Sequence, residues 1–169
     1  LFVIASGVTL LQVAANPLSA ALGAEGTGVC STRNMELVRS LGATEVLDYT
    51  KDDLSAHRDR FDVVFETVGK LPFKQCLELV RSGGKLVLGS DLPADMLKRA
   101  FSGKDGRKVT VISGTAGESA EDMRHFAALW EQQQIRPVID STFPLARIQE
   151  AHARAESGRK VGNVVVTVA

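Results

Sequence analysis

Strand-length apolar runs alternate with helical patterns along most of this chain, and that rhythm admits few folds. Leu1-Phe-Val-Ile-Ala5, Gly26–Cys30, Glu45-Val-Leu-Asp48, Phe61-Asp-Val-Val-Phe65, Lys85–Leu88 and Lys108–Ile112 each read as a short strand bounded by turn residues. Between them lie an apolar helix over 8–22 interrupted at Asn16-Pro17, and a helix over 32–41 with Met35, Leu37, Val38 and Leu41 inward and Gly42 as its stop. A solvated helical turn over 51–60 follows, then a helix over 71–81 with Phe73, Leu77 and Val80 inward. Ser82-Gly-Gly84 turns the chain into the fifth strand, an irregular stretch over 92–107 leads to the sixth, and a helix with an acidic first turn covers 118–133. Strand and helix in alternation predict an α/β fold, a doubly wound parallel sheet of Rossmann type, over residues 1–134. After Gln134 the spacing changes. Ile135–Ile139 reads as an edge strand or connection because of Pro137, followed by a helix over 145–157 and a terminal strand Gly162–Val168.

The 169 residues carry 20 acidic and 20 basic side chains, so the chain lacks the basic excess of a nucleic-acid binder, and no nucleic-acid partner is expected. Residues 1–24 are uncharged and long enough to span a bilayer, but Gln12, Asn16-Pro17 and several hydroxyl residues interrupt them, and no basic segment precedes them as in a signal peptide. A buried strand and buried helix are expected there, and no membrane partner. Cys30 and Cys76 sit in apolar runs outside any metal-ligand spacing and read as free core thiols suited to a reducing cytoplasm. His57, His125 and His152 read as surface helix residues. A start on Leu1, directly on an apolar strand, is what a piece of a longer protein would show.

Doubly wound sheets bind ligands at the carboxyl ends of their strands. The candidates are therefore Ser6-Gly7-Val8-Thr9 after the first strand, Ser31-Thr32-Arg33-Asn34 after the second and Tyr49-Thr50 after the third. Glu66-Thr67-Val68-Gly69 follows the fourth, Gly89-Ser90-Asp91 the fifth and Ser113-Gly114-Thr115 the sixth. Small and hydroxyl residues let a phosphorylated ligand approach the backbone, and equally suit tight turns. The end of the second strand discriminates further. NAD-binding sheets place an acid there for the ribose 2′-hydroxyl. Here Arg33 can fork onto a 2′-phosphate, Ser31 and Asn34 can donate to it and Tyr49 can close the pocket, which favours NADPH over NADH. The alternative is that Ser31 or Thr32 caps the next helix and Arg33 is a solvated first-turn side chain.

Ala21-Leu-Gly-Ala-Glu25, Gly28-Val-Cys-Ser-Thr-Arg-Asn34, Leu41-Gly-Ala43, Asp48-Tyr49-Thr50, Phe61-Asp-Val-Val-Phe-Glu-Thr-Val-Gly69 and Gly83-Gly-Lys-Leu-Val87 occur in order, with Ile135-Arg-Pro-Val-Ile-Asp140 and Gly162-Asn-Val-Val-Val166 beyond. This series resembles the C-terminal half of the medium-chain dehydrogenases/reductases, in the zinc-free quinone oxidoreductase-like branch. The resemblance implies a nucleotide-binding domain over 1–134, and a segment over 135–169 that completes a GroES-like substrate domain lacking its N-terminal bulk. It implies NADPH as cofactor, held by Ser6, Gly7, Val8, Ser31, Arg33, Asn34, Tyr49, Thr67, Val68, Gly69, Gly89, Ser90, Ser113, Gly114 and Asn163. Hydride would pass to a quinone, enone or other activated carbonyl, without metal, and no residue of this chain is assigned as catalytic. A homodimer through the edge strand 108–112 is expected.

The chain departs from the family at Ala5-Ser6-Gly7-Val8-Thr9, where two glycines of the phosphate loop are missing, and at Asn16-Pro17-Leu18-Ser19, which reads as an insertion. Two alternatives stand, the first from these departures and the second from the Phe61-Asp-Val-Val64 strand and the Gly83-Gly-Lys-Leu-Val87 turn and strand. One is an inactive remnant serving as a dimerisation or interaction module. The other is a class I methyltransferase, against which Ser31 speaks where an acid is expected.

Overall fold

The computed structural model describes residues 2–5, 23–67, 69, 71–89, 108–113, 119–135 and 137–168. The helix expected over 8–22 and the irregular stretch over 92–107 lie outside the described residues. Six strands form one sheet: β1 (Phe2–Ala5), β2 (Gly26–Cys30), β3 (Glu45–Asp48), β4 (Phe61–Glu66), β5 (Val80–Leu88) and β6 (Thr110–Ser113). Their order is β3-β2-β1-β4-β5-β6 and every neighbouring pair is parallel. This is the doubly wound order in which the chain reverses direction across the sheet beside β1, the place where such sheets take nucleotides.

A strand buried on both faces shows no polar alternation, and β2 is such a strand. All five residues of β2 are buried. Its successive side chains point to opposite sides. Val29 joins a cluster with Leu47, Leu54, Phe61, Val64, Cys76, Leu79, Val80, Leu86 and Leu88. Cys30 joins a second with Val38, against which Met35, Leu37, Leu41, Val138 and Val161 pack. Both cysteines are free and buried.

The helices are shorter than the periodicity suggests. A 3-10 turn at Thr32–Asn34 leads into α1 (Met35–Ser40). The charged segment 51–60 holds a 3-10 turn, Leu54–His57, started by the Asp53 carboxylate accepting from the Ser55 N–H at 2.9 Å and pegged by the buried Leu54. α2 (Phe73–Leu79) stops two residues early because Val80 already belongs to β5. The glycine signal at 82–84 is therefore not a turn between elements. It is a bulge within β5, where the pairing with β4 jumps from Phe61↔Val80 to Val63↔Lys85.

α3 (Ala120–Glu131) begins two residues later than the expected 118, with the Ser119 hydroxyl accepting from the Asp122 N–H at 3.2 Å. Beyond it lies a second, two-stranded parallel sheet, β7 (Ile139–Pro144) and β8 (Asn163–Thr167), joined through α4 (Ile148–Glu156). The strand expected at 135–139 thus starts where it was expected to end. Gly162 adopts φ +105 and its α-carbon faces the Val138 carbonyl so closely that any side chain would collide with it.

Candidate functional site

Ser31, Arg33, Asn34 and Tyr49 gather at the exits of β2 and β3, because Cys30 and Asp48 are register partners and the chain leaves both strands at the same edge. The Tyr49 N–H donates to the Cys30 carbonyl at 3.1 Å, continuing the pairing past the strand ends. The Asn34 side chain is buried and its amide donates to the Ser31 hydroxyl at 3.4 Å. Ser31 starts the 3-10 turn without a side-chain capping bond. Arg33 is exposed with no ion pair among the described residues, and the Tyr49 ring is 37% exposed. These are hydroxyl, amide and guanidinium groups on one edge, with the Asn34 amide already turned onto Ser31.

Asp48 and Thr32 are the residues that sequence reasoning undervalued. The Asp48 carboxylate, 3% exposed, accepts from the Thr32 hydroxyl, from the Thr50 hydroxyl at 2.6 Å and from the Thr50 N–H at 2.9 Å. The hydrogen bond from Thr32, seconded by Thr50, holds this carboxyl below the usual carboxylate range. Thr32, the second candidate cap, thus directs its hydroxyl across to β3. Asp48-Tyr49-Thr50 carries the local signal for this, an Asp bonding the N–H two residues on.

A second group forms around the exits of β4 and β5. Glu66, the last residue of β4 and 2% exposed, accepts the Gly69 N–H with both carboxylate oxygens at 2.7 Å, while its main-chain carbonyl accepts the Gly89 N–H at 2.7 Å. Gly69 sits at φ +71, a conformation that glycine adopts without strain. Thr67 is half-buried beside it, and Ser113 ends β6 at the far side of the sheet. Burial pushes the Cys76 thiol up to about 12, reinforced by the nearby Glu66 charge; burial and then Asp48 push Cys30 up to about 11. Both are buried in apolar surroundings, the setting of a structural thiol.

Asn163 stands apart from both groups, on β8, with its amide donating to the Val138 carbonyl at 3.4 Å. Ser6, Gly7, Val8, Val68, Ser90 and Gly114 lie outside the described residues. Among the described residues no group of three or more His, Cys, Asp or Glu side chains could hold a metal ion, and no helix is long and apolar enough to cross a membrane.

Residues 41–166 match the family of zinc-binding dehydrogenases. The chain belongs to the medium-chain dehydrogenases/reductases, in their quinone oxidoreductase-like branch. Within that family it is 28% identical, over 83% of its length and 44% of the relative's, to the chloroplastic quinone oxidoreductase QR1 of Triphysaria versicolor. It is 30% identical, over 80% of its length and 32% of the relative's, to a chloroplastic NADPH-dependent alkenal/one oxidoreductase of Arabidopsis thaliana. The chain therefore spans less than half of either. The Escherichia coli quinone oxidoreductase complexed with NADPH shares the fold, with a TM-score of 0.76 at 18% identity over 98% of this chain and 56% of that one. The antiparallel hairpin strand that ends a class I methyltransferase sheet is not found among the described strands, all of whose pairings are parallel.

Proposed function

We propose that this chain is the nucleotide-binding portion of an NADPH-dependent oxidoreductase that transfers hydride to a quinone, an enone or a similar activated carbonyl. The observation that carries this reading is the exit of β2, where Ser31, Arg33 and Asn34 offer donors while the nearest strand-end acid, Asp48, is folded into Thr32 and Thr50. In that role Arg33 forks onto the 2′-phosphate, Ser31 and Asn34 donate to it and Tyr49 closes the pocket. Thr67, with Gly69 and Gly89 held by Glu66, borders the nucleotide at the exits of β4 and β5, with Ser113 toward the far side of the sheet. The glycine loop at Ser6–Val8 receives the pyrophosphate, and Val68, Ser90, Gly114 and Asn163 complete the set. Bound there, NADPH supplies the hydride, and the protein's contribution is position.

The same reading divides the chain into a Rossmann-type domain over 1–134 and a segment over 135–169 belonging to a GroES-like substrate domain, in a zinc-independent, cytoplasmic protein. A homodimer would form through 108–112: the sheet order ends at β6, Ile112 is 46% exposed, and strand addition across a two-fold axis would extend the ladder and shield that edge. The cofactor assignment is tested by titrating NADPH and NADH, read by their own fluorescence, into the chain and its Arg33→Ala variant. Loss of the guanidinium should weaken NADPH about ten- to a hundredfold and leave NADH nearly unchanged. Parallel weakening of both overturns the phosphate grip, and no binding of either leaves the interaction module as the better reading.

A further inference from the structure

At the exits of β2 and β3, acid and base stand in opposition. Asp48 is buried, receives three hydrogen bonds from Thr32 and Thr50, and donates its own N–H to the Asp52 carboxylate at 2.7 Å. Thr32 lies between Ser31 and Arg33 in the chain, and Tyr49 follows Asp48 directly. The Asp48 carboxylate is thus bonded to the residue between Ser31 and Arg33 and precedes Tyr49, with Lys51 as the neighbouring cation that favours its charge. Two hydroxyls that could serve a phosphate, those of Thr32 and Thr50, are turned onto Asp48 and lie 3.3 Å from each other. An ionised carboxylate in that position repels a second anion, while a 2′-hydroxyl carries no charge to be repelled.

We propose that Asp48 is a specificity-determining residue of the nucleotide site, a resident negative charge that opposes a ribose 2′-phosphate and holds discrimination between phosphorylated and unphosphorylated nucleotides below what Arg33 alone would give. The inference rests on the nucleotide-binding reading above and adds that cofactor choice here is a balance of two charges rather than the work of one cation. Asp48 acts at a distance through its charge and also straps two loops together, and the two roles separate by experiment.

The probes are adenosine 2′,5′-bisphosphate and adenosine 5′-monophosphate, which differ only in the 2′-phosphate, titrated calorimetrically into the whole chain. Asp48→Asn keeps the shape and can still bond Thr32 and Thr50 while removing the charge. It should tighten the bisphosphate roughly three- to tenfold and move the monophosphate by less than about twofold, with the gain shrinking as salt is raised. Asp48→Ser, smaller but also neutral and polar, should move the ratio in the same direction, and covers the case in which the asparagine variant does not fold. Thr32→Val, which loosens the strap and keeps the charge, should weaken both probes alike. Parallel weakening of both probes by Asp48→Asn, or an unchanged ratio, overturns the proposal and leaves the nucleotide site standing. Failure of both probes to bind the wild type and every variant removes the nucleotide site, and the proposal with it.

Discussion

Asp140 is the side chain on which the second sheet turns. Its carboxylate, 4% exposed, accepts the Arg154 fork, Nε at 2.7 Å and Nη2 at 2.6 Å, together with the Val161 N–H at 2.7 Å and the Ser141 hydroxyl at 2.9 Å. One residue of β7 thereby fastens α4 and the approach to β8. Asp140→Asn should lower stability by about 1.5–3 kcal/mol in urea denaturation, the range for a charged hydrogen-bonded pair, and Arg154→Lys should fall between, since an ammonium keeps the charge but not the fork. Arg154, and after it the Val161 amide, hold the Asp140 carboxyl far below the usual range. Its unfolded value is about 4, so the clasp contributes fully above that pH and is lost as pH falls below it toward the depressed folded value. The stability curves of the wild type and Asp140→Asn should therefore be separated at neutral pH and converge in acid.

Among the elements, the sheet was legible in the sequence and its loops were not. The runs at 26–30 and 45–48 are strands with those bounds, the first buried along its whole length and the second at Leu47 and Asp48. The start of β5 was hidden, because Phe73, Leu77 and Val80 fit a helical face and only pairing with β4, far away in sequence, claims Val80 for the strand. The strap on Asp48 was hidden for the same reason: Thr32 and Asp48 meet across two strands. Ser31, Arg33 and Tyr49 could be grouped beforehand, because strand ends at one edge follow from topology alone. The turn after β4 makes a test at this scale. Glu66→Gln should speed hydrogen exchange of the Gly69 amide, which the carboxylate holds, while the Gly89 amide, bound to the Glu66 main-chain carbonyl, keeps its protection. Equal acceleration at both amides would show that the whole edge had loosened rather than one turn.

For the whole molecule, the two thiols report on two separate cores. Cys76 belongs to the larger cluster, and Cys30 to the smaller one that Val138 and Val161 help cover. Both should resist a disulfide reagent in the native state, where burial raises their pKa values. Val138→Asp should expose Cys30 to labelling and spare Cys76; joint labelling would mean the cores open together. The strand order carries a further consequence, for synthesis. β1 precedes the other five strands in the chain yet lies between β2 and β4, with Phe2 beside Val63. As the chain leaves the ribosome, β1 can pair with β2 early, but its other edge stays bare until β4 has been made. The β7–α4–β8 unit closes over neighbouring segments within moments of emerging. A nascent chain stalled before β4 would thus display an apolar, half-paired strand, and that interval is when a chaperone would have the most to bind.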